Sequence, residues 1–203
     1  MARPLIALLM IVKNESASVE RTIASCASDV VYVLDTGSTD KTGEIVEQML
    51  RERAGYLFEV DEPVHQRSAK RIDYAATRNL LLDLHDRSPV PWPNAFTQVL
   101  PDPSFEEPAV FTFFLNGDET LHGGEALRAF LESKRDAADG AYSIEMRQGT
   151  TIWPFPRVLR TDAKWRYEGA AHVVPVSVLG VTGSDHFEGE ATVNGTPCIP
   201  GVH

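Results

Sequence analysis

The chain has 203 residues, enough for one domain with its own hydrophobic core. Its 43% hydrophobic and 24% charged content is ordinary globular composition, far from that of a disordered chain. With 19 Lys and Arg against 29 Asp and Glu, the formal charge of −10 argues against strong nonspecific nucleic-acid binding, which depends on neutralising phosphates. A local basic pocket for one phosphorylated ligand is compatible with it. Cys26 and Cys198 are too few for a disulfide scaffold and have no metal-ligand spacing, so a reducing, cytoplasmic setting is expected.

Met1 to Val12 is apolar behind Arg3, but the run is short and lacks a small-x-small cleavage site. It closes on Lys13-Asn14-Glu15 and reads as a first strand over Leu5 to Val12, covered on both faces. No stretch approaches the roughly 20 apolar residues that a membrane-spanning helix needs, and a soluble protein is expected. Ser16 is a candidate cap for a helix with Val19, Ile23 and Cys26 on its inner face. Val30 to Leu34 reads as a second strand, stopped by Asp35-Thr36-Gly37-Ser38-Thr39-Asp40. A helix from near Asp40 would bury Ile45, Val46, Met49 and Leu50, and Tyr56 to Val60 would form a third strand. This βαβαβ order favours a parallel sheet with right-handed crossovers.

Asp73 is placed to cap a helix through Leu84, with Leu80, Leu81 and Leu84 inward. Six prolines between Ser88 and Pro108 rule out long regular structure there, so 88–109 reads as a proline-rich insertion loop. Phe111 to Leu115 forms a fourth strand ending in Asn116-Gly117-Asp118-Glu119, and a helix follows from about Glu125 to Lys134. After Gly140 the strands Tyr142 to Arg147, Pro156 to Arg160 and Ala171 to Val178 are joined by turns. The expected fold class is α/β: a mostly parallel central sheet, helices on both faces, and antiparallel strands added in the second half. Residues 180–203 read as an irregular tail, or as the start of a further region.

Ligands of open α/β sheets bind beyond the carboxyl ends of the strands. Lys13-Asn14-Glu15, Asp35 to Asp40 and Asn116 to Glu119 all fall at such ends, which suggests a shared crevice; ordinary turn chemistry is the alternative. Asp35 can accept from a base edge or ribose hydroxyls, while Asp118 and Glu119 offer hard oxygens to Mg2+ or Mn2+. Arg78 can clamp a pyrophosphate or make a surface salt bridge. His172 is either a buried hydrogen-bonded histidine or a metal ligand. There is no glycine-rich phosphate fingerprint, Walker A sequence or nucleophile elbow.

Five segments together resemble the family 2 glycosyltransferases of GT-A fold, in particular a small bacterial branch of lipopolysaccharide core and peptide glycosyltransferases. They are Met10 to Glu15, Val33 to Thr42, Asp73 to Asn79, Phe114 to Glu119, and Arg157 to Arg160 followed by Tyr167 to His172. The resemblance implies a GT-A catalytic domain over 1–179 and transfer of a sugar, with inversion, from a nucleotide-sugar, first of all a UDP-sugar. Glu15 and Asp35, with Lys13 beside them, would hold the nucleoside. Arg78, oriented by Asp73, would reach the phosphates or sugar. Asp118, with His172, would coordinate Mn2+ or Mg2+ on the diphosphate.

Asn116 stands where that family has the first acid of an Asp-x-Asp motif; it can still accept from ribose. Glu168 is the candidate catalytic base, against a structural pairing with Arg157, Arg160 or Arg166. The acceptor is open: glycan, lipid-linked glycan, peptide or small molecule. The alternative readings are a catalytically weakened domain that binds a nucleotide-sugar, glycan or protein, and a nucleotidyltransferase, which would prefer a glycine-rich first loop.

Overall fold

The computed structural model describes residues 3–60, 66–68, 71–72, 74–86, 96–98, 107–169, 173–181, 185–186 and 192–194. The first third alternates strand and helix: β1 (Ile6–Val12), α1 (Val19–Ser25), β2 (Val30–Asp35), α2 (Thr42–Leu50) and β3 (Gly55–Val60). A short pair, β4 (Gln66–Ser68) and β5 (Arg71–Ile72), precedes α3 (Tyr74–His85). Then come β6 (Phe96–Gln98), β7 (Phe111–Asn116), β8 (Thr120–His122) and α4 (Gly124–Ser133). The second half holds β9 (Ala141–Gln148), β10 (Thr151–Arg160), β11 (Trp165–Glu168) and β12 (Val174–Ser177), and then β13 (Asp185–His186) and β14 (Thr192–Asn194).

The main sheet runs β6-β3-β2-β1-β7-β10-β9-β14-β8, with β13 also paired to β9. β3, β2, β1 and β7 are mutually parallel, whereas β10 joins β7 antiparallel and forms a hairpin with β9. The parallel strands are mostly apolar because both faces are covered. All six residues of β2, Val30 to Asp35, are buried. On one face Leu8, Met10 and Val33 pack with Val19 and Ile23 of α1, Val46 and Leu50 of α2, and Leu127 and Leu131 of α4. On the other, Ala7, Leu9 and Leu34 meet Leu80 and Leu81 of α3 with Trp165 and Tyr167 of β11. Each fully buried Leu contributes about 1.5–3 kcal/mol of transfer free energy. This is the expected GT-A-like α/β architecture, with helices on both faces and antiparallel strands added after α4.

Several local expectations shift. Ser18, not Ser16, stands at the start of α1, because Asn14 turns the chain at a left-handed φ of 57° and the Ser16 N–H is given to Asp40. Leu84 is only partly buried, and His85 takes the inward place at the end of α3. β10 begins five residues before Pro156 and passes through Pro154, with a bulge between Pro156 and Val158 that lets the prolines sit within a hairpin. The short strands β8 and β11 carry too little alternation to be read from sequence. Beyond residue 180, β13 and β14 pair with β9, and Val193 is fully buried.

Candidate functional site

The three polar strand ends lie level with one another. Val12 is opposite Asp35 in the β1–β2 register, and Ile11 is opposite Asn116 in the β1–β7 register. The loops that follow are sewn together. Asn14 N–H donates to Ser38 Oγ at 2.9 Å, and Thr39 N–H donates back to Asn14 Oδ1 at 2.8 Å. Glu15 N–H donates to Thr42 Oγ1 at 2.7 Å and Ser16 N–H to Asp40 Oδ2 at 3.2 Å. Asp35 is 4% exposed, and its Oδ1 accepts from the backbone of Gly37 and Ser38 at 3.1 and 2.8 Å. Gly37 makes this turn possible with a φ of 91°. Asp40 is held well below the usual carboxylate range by the Thr42 hydroxyl and then by the bonds around Ser16 and Thr42.

The third end closes against the first. A Cβ on Gly117 would lie 2.7 Å from Glu15 Cγ and 3.2 Å from Val12 Cγ1, so only glycine fits there without displacing its neighbours. Burial raises the pKa of Glu15; the Ser18 hydroxyl opposes this, and Asp118 and Asp40 push it further up. Three carboxylates therefore share one electrostatic neighbourhood at the sheet edge. Among the described residues no group of three His, Cys, Asp or Glu forms a ready-made cation site. The carboxylates at hand, Asp118 beside Glu15, fit a hard divalent ion that takes its remaining ligands from a diphosphate and water. They do not make an all-protein cage.

From the opposite face, α3 brings Arg78. Its guanidinium carbon lies 5.1 Å from the Tyr167 ring centroid and 5.9 Å from that of Phe114, so the arginine stacks on two aromatic faces beside the end of β7. Asn79 fixes the helix there: its Nδ2 donates to Tyr167 O at 3.0 Å and its Oδ1 accepts from Tyr167 N–H at 2.7 Å. Glu168 follows at the exposed end of β11. The arginines considered as its partners are engaged elsewhere. Arg157 pairs with Glu119, Arg160 donates to the carbonyls of Asp139, Arg135 and Lys134, and Arg166 pairs with Asp83.

Of the expected site residues, Lys13, Glu15, Asp35, Asn116 and Asp118 come together on one sheet edge, and Arg78 stands beside Phe114, two residues before Asn116. Lys13 is exposed; Glu15, Arg78, Asn116 and Asp118 are half-buried. Asp73 and His172 lie outside the described residues. Glu119, an oxygen ligand on pattern alone, is 2% exposed and faces inward onto Arg157 and the Asn116 N–H. The supporting hydroxyls of Ser38 and Thr42 escape sequence reading because turns and caps use the same residues.

No protein-family model and no curated protein matches the sequence. Solved structures match the fold. The 1–349 portion of Staphylococcus aureus TarS, crystallised in complex with UDP-GlcNAc, superposes with a TM-score of 0.55 at 14% identity, covering 79% of this chain and 46% of that one. A further crystal structure of the same portion gives 0.54 at 14% identity, over 79% and 48%. A TarS structure of greater length gives 0.52 at 13% identity, over 79% and 29%. The chain thus spans less than half of the TarS structures it matches. A looser likeness, TM-score 0.41 at 15% identity over 72% of this chain and 45% of the other, is to glucosyl-3-phosphoglycerate synthase from Mycobacterium tuberculosis, in complex with Mn2+, UDP and glucosyl-3-phosphoglycerate.

Proposed function

We propose that this chain is a nucleotide-sugar-dependent glycosyltransferase domain whose donor binds across the edge formed by Val12 to Glu15, Asp35 to Asp40 and Asn116 to Asp118. The observation that carries this reading is the convergence of three acidic strand ends, level in register, the first two tied by backbone-to-side-chain bonds and the third packed against the first, at the carboxyl edge of a parallel sheet. Superposition on a fold crystallised with UDP-GlcNAc supports it.

In this reading Asp35 accepts from donors on the base or ribose through Oδ2, since Oδ1 is engaged by Gly37 and Ser38. Glu15 and Lys13 border the same end, and the Asn116 amide offers an uncharged oxygen to a ribose hydroxyl. Arg78, stacked on Tyr167 and Phe114, presents fixed positive charge to the phosphates or sugar. A divalent cation held by Asp118, with His172 as a further ligand, would neutralise charge that develops on the departing diphosphate.

Transfer then forms a bond from an acceptor hydroxyl oxygen to the anomeric carbon and breaks the bond from that carbon to the diphosphate oxygen. The nucleoside diphosphate leaves with the electron pair. The hydroxyl proton goes to a carboxylate on the acceptor side, for which Glu168 is the candidate because its exposed side chain is not taken by the arginines of that region. Attack opposite the leaving group inverts the anomeric centre.

Calorimetry with a panel of UDP-, GDP- and other nucleotide-linked sugars, in Mn2+ and in chelator, tests the donor site. Metal-dependent binding of one class is expected, with Asp118→Ala weakening it at least about tenfold. Absence of binding across the panel overturns the reading. Tight binding without turnover or hydrolysis would favour the weakened binding domain, a reading to which Asn116 in place of an acid lends specific support.

A further inference from the structure

The turn that carries Asp118 is held from beneath by groups that never reach the ligand. Glu119 turns inward: Oε2 accepts the Asn116 N–H at 2.7 Å and Oε1 accepts from Arg157 Nη2 at 2.6 Å. Arg157 comes from β10, in the antiparallel half of the sheet, and its Nη1 donates to Phe114 O at 3.2 Å. Both ends of the segment Phe114 to Glu119 are thereby gripped by one ion pair. Thr22 Oγ1 of α1 lies 2.8 Å from Gly117 O and 2.6 Å from Glu119 O, and Glu119 N–H closes the turn onto Asn116 O at 3.1 Å.

Stability alone is a poor reason for this arrangement. The pair is nearly dry, with the side chains of Arg157 and Glu119 exposed by 9% and 3%. Arg157 Nε is buried with no hydrogen-bond partner. Taking two charges out of water costs several kcal/mol per ion, and apolar replacements of buried pairs are often neutral or stabilising. An orphaned donor in the same group adds to that cost. What Glu119 supplies is geometry, because its fixed oxygen on the Asn116 N–H allows the turn one conformation.

We infer that Glu119, with Arg157 as its buried counter-charge, is a positioning residue that fixes the Asn116-Gly117-Asp118 turn through the Asn116 N–H, so that Asp118 meets its cation and diphosphate in place. The inference rests on the donor-site reading above, and it assigns Glu119 to the support of that site instead of to its ligands. Loss of such outer support typically weakens metal affinity about 10–100-fold.

Two double variants separate positioning from mere support of the fold. Glu119→Gln with Arg157→Met removes both charges but keeps an oxygen acceptor for the Asn116 N–H. Glu119→Leu with Arg157→Met removes the charges and the acceptor together. Thermal midpoints of the two should be close to each other. Binding of Mn2+ with UDP, measured by calorimetry and by the Mn2+ magnetic-resonance spectrum, should stay within about threefold of the parent for the Gln form. It should fall about tenfold or more for the Leu form. Amide exchange at Asn116 and Asp118 without ligand should accelerate only in the Leu form. If that form does not fold, Glu119→Asp with Arg157→Met, one methylene short of the amide, takes its place with the same loss expected.

Equal Mn2+–UDP affinity and equal exchange in both double variants would overturn the inference. A parent chain that binds no Mn2+–UDP would overturn the donor-site reading instead, and the exchange measurement would still decide whether the Glu119 acceptor fixes the turn.

Discussion

Glu15 and His85 show how single side chains here trade stability against position. Glu15 is pushed up first by burial and then by Asp118 and Asp40. A carboxyl whose folded pKa is raised favours the folded state below its unfolded value, and that contribution is lost as pH rises through the folded one. Its ionised form is thus a burden near neutrality. Glu15→Gln is expected to raise the thermal midpoint by about 1–3 °C at pH 7 while weakening nucleotide binding, as a melting curve and a UDP titration would show. His85 has the opposite sign. Burial holds its pKa below the ordinary value; Asp86 opposes this, and the charges of Arg3 and Lys164 add to it.

Neutral His85 accepts the Ala109 N–H at Nε2, 3.1 Å away, and its Nδ1 faces Asp86 Oδ1 at 3.1 Å. Its contribution is complete above about pH 6.5 and is lost as pH falls through the depressed folded value. A melting series from pH 7.5 to pH 5 should show a falling midpoint, and His85→Gln should flatten that slope. Asp86, held low in the native state by His85 and Lys164 against its own burial, acts in the same direction only below about pH 4. A parent midpoint flat across pH 7.5 to 5 would exclude this role for His85.

Among the elements, the β7–β8 turn has little room for change. Gly117→Ala places a carbon 2.7 Å from Glu15 Cγ, and a shift of that side chain also disturbs the level strand ends beside it. Overpacking of this kind costs about 1–3 kcal/mol. The expected outcome is a lower midpoint together with reduced nucleotide binding, whereas a variant bound and folded like the parent would contradict the close approach. This turn also marks how far sequence could be read. Three polar clusters after apolar runs located the edge, since a strand covered on both faces must be apolar and must end in polar residues. Asp35 and Asp118 are legible on that ground alone. The inward turn of Glu119 is not, because its partner Arg157 lies 38 positions away and is brought near only by antiparallel pairing of β10 with β7.

The same limit applies to Arg78. The aromatic pair beneath it comes from β7 and β11, and β11 is four residues long with no periodicity to reveal it. Helices α2 and α4 were readable within two residues of their bounds because amphipathic spacing and apolar stripes are local properties. Beyond Gly140 the chain relies on pairings between distant short strands, and local pattern gives less.

For the whole molecule, a ligand that binds only the folded chain must stabilise it in proportion to its occupancy. At a UDP concentration of about 100 times Kd in Mn2+, the gain is about 2.7 kcal/mol, or a midpoint shift of about 5–10 °C for a chain of this size. Chelator should abolish the shift if the cation is shared with the diphosphate, and a shift unaffected by chelator would remove the cation from the donor site. With a formal charge of −10, the chain would make any local focusing by Arg78 more consequential, since on the proposed reading a nucleotide would approach against the overall field. Binding should strengthen with modest added salt if that repulsion dominates at long range.

The bond from Ala109 N–H to His85 ties together the two ends of the proline-rich stretch between α3 and β7. A chain closed at its base behaves like a ring whose circumference is thermodynamically inexpensive. Closure entropy grows only with the logarithm of length, so doubling the connections on either side of β6 changes the folding free energy by about 0.6 kcal/mol each. Their length is therefore nearly invisible to the stability of the sheet, which the stretch touches through the pairing of β6 with β3. Selection can reshape that stretch for whatever molecule approaches the edge while α3 and β7 keep their separation.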